Sequence, residues 1–187
     1  LYLVSSQVET SKMKKFILLG GLASTLLLAG CAGGIVSSGS GRAEALLNPT
    51  KGNAVSGTVV FSEAGNKLRV IAEVSGLSPG PHGFHIHEKG DCSAPDGTSA
   101  GGHFNPTGKP HGNPEHADHH AGDLPQLVAD AKGVAKLVGY IDGLKLNDGE
   151  GGIVGRSVIV HATADDFKTQ PTGNSGARFA CGVIVKK

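Results

Sequence analysis

Apolar and polar positions alternate most plainly between Leu68 and Val74, where the charged residues Arg69 and Glu73 interrupt an otherwise apolar run. That period of two predicts a half-buried antiparallel strand. The preceding segment, Ala54 to Phe61, is rich in small and β-branched residues and predicts a partner strand, with Gly65-Asn66 as the turn between them. Gly83 to His87 and Val134 to Ile141 are further strand candidates. Ser157 to His161 and Gly182 to Val185 are continuous apolar runs, the pattern of strands buried inside a sandwich or barrel. No stretch keeps a helical period and none repeats another. The pattern predicts an all-β domain.

Two stretches are too long and too polar to be strands, from about Glu88 to Gln126 and from Ala162 to Gly176. Long loops in a compact domain are usually functional or disordered. The expected architecture is therefore a β scaffold that displays two working loops.

The N-terminal pattern is of another kind. Met13 is followed by Lys14-Lys15 and an apolar run from Phe16 to Leu28, a basic start and a hydrophobic stretch too short to cross a bilayer comfortably. The run ends in Leu28-Ala29-Gly30-Cys31, which resembles the lipobox of bacterial lipoproteins. On this reading 1–12 is an upstream extension that is not native, 13–30 is a lipoprotein signal peptide, and Cys31 carries lipid. The Gly- and Ser-rich residues 31–50 then form a tether, and the folded domain spans 51–187.

Composition agrees with a turn-rich β fold: 30 Gly and 9 Pro stand beside no Trp and 4% aromatics. The net charge of +1 gives no bulk attraction to nucleic acid. Three cysteines is an odd number for an exported chain. If Cys31 is lipidated, Cys92 and Cys181 remain as a pair that an oxidising compartment would allow to join.

Histidine changes the picture. Of the nine histidines, all but His161 lie between His82 and His120. In a strand His85 and His87 face the same side and can reach one metal ion. His103, His111 and His120 follow in the first long loop, Asp123 lies three residues after His120, and His161 ends a later strand. Neutral imidazoles suit copper and zinc, and one carboxylate beside three imidazoles suits tetrahedral zinc.

The segments carrying these residues, Gly83-Phe84-His85-Ile86-His87-Glu88, Gly102-His103-Phe104-Asn105-Pro106, His120-Ala121-Gly122-Asp123-Leu124 and Gly155-Arg156-Ser157-Val158-Ile159-Val160-His161, resemble motifs of copper/zinc superoxide dismutases, bacterial periplasmic lipoproteins among them. The run from Thr172 to Gly182 is similar to the family's C-terminal motif, and the order of the motifs is the family's. The resemblance implies an eight-stranded, immunoglobulin-like Greek-key barrel and an oxidoreductase that converts superoxide to dioxygen and hydrogen peroxide by copper redox cycling. It implies one copper per subunit on His85, His87, His103 and His161, and one zinc on His103, His111, His120 and Asp123, with His103 shared. Asp165 would orient a histidine of each set, Arg178 would dock the anion beside copper, and His103 would relay a proton. Cys92 and Cys181 match the family's disulfide pair. His82 is expected to be structural, while His116 and His119 belong to a solvated loop with a possible part in metal capture. Lys168 and Lys109 are candidates for steering superoxide, Thr172 for shaping the channel mouth, and Arg156 for solubility.

The implied partners are superoxide and, through Cys31, a membrane. No nucleic acid is implied, and monomer and homodimer stay equally open. Ala32 after the lipidated cysteine favours the periplasmic side of the outer membrane. A rival reading is a non-catalytic lipoprotein that stores copper and zinc; it has no use for an anion-docking arginine or an orienting aspartate.

Overall fold

The tether reading ends too late. The computed structural model describes residues 41–147 and 149–187, and within it residues 42–49 already form a strand, β1 (Arg42–Pro49). Ala43, Ala45 and Leu47 point into the core while Arg42 and Leu46 face out, so the period of two is present without the β-branched residues that usually announce a strand. The leader 13–30, Cys31 and the extension 1–12 lie outside the described residues.

Eight further strands follow: β2 (Ser56–Ala64), β3 (Lys67–Ser75), β4 (Gly80–His82), β5 (Phe84–His87), β6 (Leu127–Ala129), β7 (Val134–Ile141), β8 (Ser157–His161) and β9 (Arg178–Lys186). β2 and β3 form the expected hairpin, paired from Ser56↔Ser75 to Ala64↔Lys67 around a turn in which Gly65 takes the left-handed conformation. β7 and β8 keep the bounds read from the sequence, and β9 runs four residues further back, from 182 to 178, than its apolar run suggested.

All neighbouring strands are antiparallel, in the order β4-β6-β7-β3-β2-β1-β9-β8-β5. Pairings between strands distant in sequence, β3 with β7 and β1 with β9, are the long returns of a Greek-key arrangement. The two ends of the sheet, β4 and β5, are separated along the chain by Gly83 alone, so the sheet bends round into a nearly closed barrel. Counting β4 and β5 as one strand broken at Gly83 recovers the expected eight. A Cβ on Gly83 would lie 2.6 Å from Ser175 Oγ and 3.1 Å from His85 Cε1, so the break needs glycine.

Phe61, Val70, Phe84, Ile86, Val158 and Ile184 fill the barrel interior. Complete burial of such side chains stabilises by about 1.5–3 kcal/mol each. Three connections are long. Residues 88–126 hold only a single 3₁₀ turn, Thr98–Ala100; 142–156 joins β7 to β8; and 162–177 joins β8 to β9. A disulfide between Cys92 and Cys181, with Cα atoms 5.7 Å apart, ties the first of these loops to β9.

Leu47 and its neighbour test the register of β1. Leu47 is 1% exposed and Leu46 is 61% exposed. Leu47→Ala is expected to lower the unfolding free energy by about 2–4 kcal/mol in urea titrations, whereas Leu46→Ala changes it by less than about 0.5 kcal/mol.

Candidate metal centre

β5 sorts its side chains by face. Phe84 and Ile86 enter the barrel core, and His85 and His87 project from the opposite side, under the two long loops. The first loop returns twice to the open edge of β5. Glu88 N–H donates to Gly102 O at 2.9 Å and Phe104 N–H to Ile86 O at 2.8 Å, which sets His103 directly opposite His87. Ile86 N–H donates to Gly122 O at 2.8 Å and Leu124 N–H to Phe84 O at 3.3 Å, which sets Asp123 opposite His85. Gly122 is obligatory here, because a Cβ would collide with Ile86 O. His161 comes from β8, whose Val160 pairs with Phe84, and its N–H donates to Gly83 O at 2.9 Å.

Two clusters result, each with its donor atoms within 4.8 Å of one another: His85, His87, His103 and His161, and His103, His111, His120 and Asp123. All seven residues are buried. In the first cluster the distal ring nitrogens are fixed. His85 Nε2–H donates to Asp165 Oδ2 at 2.6 Å, His87 Nδ1–H to Gly101 O at 2.9 Å, and His161 Nδ1–H to Gly176 O at 3.2 Å. These bonds choose the tautomers and aim the lone pairs of His85 Nδ1, His87 Nε2 and His161 Nε2 inward. Together with His103 Nε2 they are four buried nitrogens with no hydrogen-bond partner among the described residues. Burial holds His87 and His161 well below the usual imidazole range and lowers His85 against the pull of Asp165. It also brings His103 down to about 4, with His85 adding to it and Asp123 opposing. Neutral imidazoles aimed at one point are what a copper ion requires.

The second cluster is organised by Asp123. Its Oδ2 accepts from the N–H groups of His120 at 2.8 Å and Gly112 at 3.1 Å. Its Oδ1 faces His103 Nδ1 at 2.9 Å, His111 Nδ1 at 3.0 Å and His120 Nδ1 at 3.5 Å. Burial pushes this carboxyl up, but the bonds from His103, His111 and His120 prevail and hold it far below the ordinary range. Donors around a tetrahedral zinc with 2.0–2.1 Å bonds lie about 3.3 Å from one another. The three spacings bracket that value, so the cluster fits zinc.

Asp165 joins the clusters. Its second oxygen accepts from His111 Nε2 at 2.9 Å, so one carboxylate orients His85 on one side and His111 on the other. Burial alone would lower His111, yet Asp123 and Asp165 raise it to about 9. Gly173, at φ 66°, leaves the space this contact needs; a Cβ there would overlap Asp165 Oδ1 and His111 Nε2. Arg178 stands beside the first cluster. Its guanidinium donates to Gly97 O and Gly101 O, both at 2.7 Å, so it shares the Gly101 carbonyl with His87.

The pattern of residues 55–184 matches that of the family described as copper/zinc superoxide dismutase. The chain belongs to that family. A superoxide dismutase [Cu-Zn] of Paramecium bursaria Chlorella virus 1 is 44% identical over 138 residues, covering 70% of this chain and 72% of the viral one. An extracellular superoxide dismutase [Cu-Zn] of Onchocerca volvulus is 42% identical over 165 residues, covering 81% and 79% of the two chains. Among solved structures, the crystal structure of the clock protein EA4 superposes with a TM-score of 0.71 at 40% identity, covering 78% of this chain and 94% of that one. Copper and zinc are the family's cofactors, and each of the two clusters offers four ligand atoms that could hold a metal ion.

Outside the clusters the outcome is mixed. His82 is structural, bonded through its ring to His161 O and Ser78 O, both at 2.9 Å. His116 is exposed, and the half-buried His119 donates through Nδ1 to His120 O at 2.6 Å, so neither joins a cluster. Arg156 is not the solubility residue expected. Its guanidinium lies 3.5 Å over the Phe104 ring and donates to Gly152 O at 2.6 Å and Glu88 O at 2.9 Å, bracing the segments that carry His103 and His87. Gln126 was also missed; its Oε1 accepts from Asp165 N–H at 2.9 Å. Both residues act on backbone groups or a ring face, a role that no residue spacing announces.

Because a bound metal stabilises only the folded state, the thermal midpoint is expected to climb with free zinc and then with copper, and to fall again with chelator. Calorimetry across a metal series checks this, and the zinc-dependent rise should be largely lost in His120→Ala.

Proposed function

We propose that this chain is a superoxide dismutase of the bacterial cell envelope, converting two superoxide ions and two protons into dioxygen and hydrogen peroxide. The observation that carries the reading is the set of four unpartnered, buried imidazole nitrogens of His85, His87, His103 and His161 directed at one point. These four would hold copper, and His103, His111, His120 and Asp123 would hold zinc. Bound copper supplies a one-electron couple that zinc lacks, and zinc adds fixed positive charge.

The protein's own groups do the rest. Arg178, half-buried and cationic, docks the anion by a charge-assisted contact next to His87 and His161. His103 holds a proton at Nε2 between the two half-reactions and passes it to the second superoxide, while water supplies the other proton. Asp165 keeps His85 and His111 in the tautomers that leave their Nδ1 atoms free for metal.

The envelope location rests on residues 13–31, where a basic start and an apolar run end at Leu28-Ala29-Gly30-Cys31. Residues 13–30 are cleaved, Cys31 is acylated, and Ala32 sends the protein to the periplasmic side of the outer membrane. The extracellular relative and the Cys92–Cys181 disulfide support export to an oxidising compartment.

With copper and zinc loaded, superoxide decay is expected to be fast and to be abolished in His161→Ala. Arg178→Ala should retain both metals yet lose about tenfold or more in rate, along with much of its dependence on ionic strength. Negligible decay at full metal occupancy would instead favour metal storage. Cys31→Ser is expected to move the protein from the membrane fraction to the soluble periplasmic fraction, and mass spectrometry of the wild-type N-terminal peptide should show acyl chains on Cys31.

A further inference from the structure

Gln170 lies in the connection 162–177, three residues before the glycine that admits the Asp165–His111 contact. Its side-chain amide meets the backbone of His111 at two points. His111 N–H donates to Gln170 Oε1 at 2.8 Å, and Gln170 Nε2–H donates to His111 O at 2.8 Å. One planar amide thus satisfies both backbone groups of His111, as a neighbouring strand would. The second amide hydrogen reaches the carbonyl of Lys168 at 3.3 Å, which fixes the orientation of the amide.

His111 needs this support more than the other donors do. His103 is paired to β5 as an antiparallel bridge, and Asp123 is paired in the same way. His120 is held through its N–H by Asp123. The ring of His111 is gripped at both nitrogens by Asp123 and Asp165, which orients the imidazole. The chain that carries it is tied to the cluster on one side through Gly112 N–H, which donates to Asp123 Oδ2 at 3.1 Å, and His111's own backbone groups are left to Gln170. The stretch around it is rich in Gly and Pro: Gly108, Pro110, Gly112 and Pro114.

We propose that Gln170 is a positioning residue for the zinc cluster, a clasp that holds the His111 backbone so that Nδ1 stays in register with His103, His120 and Asp123. The inference rests on the assignment of that cluster to zinc. Because the clasp crosses from residues 162–177 to residues 88–126, it also makes zinc retention depend on the order of both loops. The copper donors lean on the same two loops, but through contacts other than Gln170. His85 reaches Asp165, which is anchored by Gln126, and His87 and His161 bond to backbone carbonyls away from Gln170.

The test compares Gln170→Ala and the isosteric Gln170→Glu with wild type, in the full chain. The glutamate keeps the acceptor for His111 N–H but turns an oxygen toward the His111 carbonyl, so packing survives while one bond becomes a repulsion. Zinc affinity is read by competition with a chromogenic chelator, copper affinity by the same method with a Cu(I) probe, and the geometry of the cluster by the visible spectrum of the Co²⁺-substituted protein. Zinc affinity is expected to fall about 10–100-fold in both variants, the range usual for residues that orient metal ligands, with an altered Co²⁺ spectrum and copper affinity within about twofold. Unchanged zinc affinity would overturn the proposal. So would equal weakening of both metals, which is the mark of general loosening. None of these readouts uses superoxide, so a protein that binds both metals but turns nothing over would sink the dismutase reading and leave this one standing.

Discussion

Four imidazole nitrogens buried together without partners are costly to maintain. Each would lose free energy on the order of 1–3 kcal/mol relative to a hydrogen-bonded state, and the cost is accepted only where the surroundings permit no relaxation. Much of what lies around the barrel's closure serves to deny that relaxation. The barrel fixes His85, His87 and His161 on adjacent antiparallel strands, β5 and β8, and backbone pairing fixes His103 against β5. Gly101, Gly176 and Asp165 then take up the far nitrogen of each strand-borne ring. A set of donors held this rigidly has one stable completion, a cation at the point where they meet.

The second cluster depends on the first through two shared elements. His103 contributes one nitrogen to each, and Asp165 contributes one oxygen to a ring of each. The long loops are in turn fastened at points remote from both clusters. Cys92–Cys181 ties the first loop to β9, Arg156 clamps the neighbours of His87 and His103, and Gln170 spans the two loops. The precision of the centre is thus distributed over residues that carry no metal donor themselves.

Some of this was legible in the chain and some was not, for reasons that differ by residue. β7 and β8 were readable because β-branched and apolar residues dominate them. β1 was not, because Ala43, Glu44, Ala45, Leu46 and Leu47 favour helix locally and become a strand only between β2 and β9. The donors were readable because imidazoles two apart in a strand, and a carboxylate close after another, have a chemistry that spacing reveals. Gln126, Arg156 and Gln170 were not, since a glutamine bonded to a distant backbone looks like any other glutamine until the fold brings its partner to it.

The pairing of residues 102–104 and 122–124 with β5 has a further consequence, one of colloidal behaviour. β5 ends the sheet, and among the described residues its outward backbone groups are taken by these two returns of the first loop. A chain in which that loop lifts away would present the bare backbone edge of β5, the kind of edge on which a second molecule can add its own strand. The segments that deliver His103 and Asp123 are therefore also the cover of that edge. A cation held between those segments would keep that edge covered.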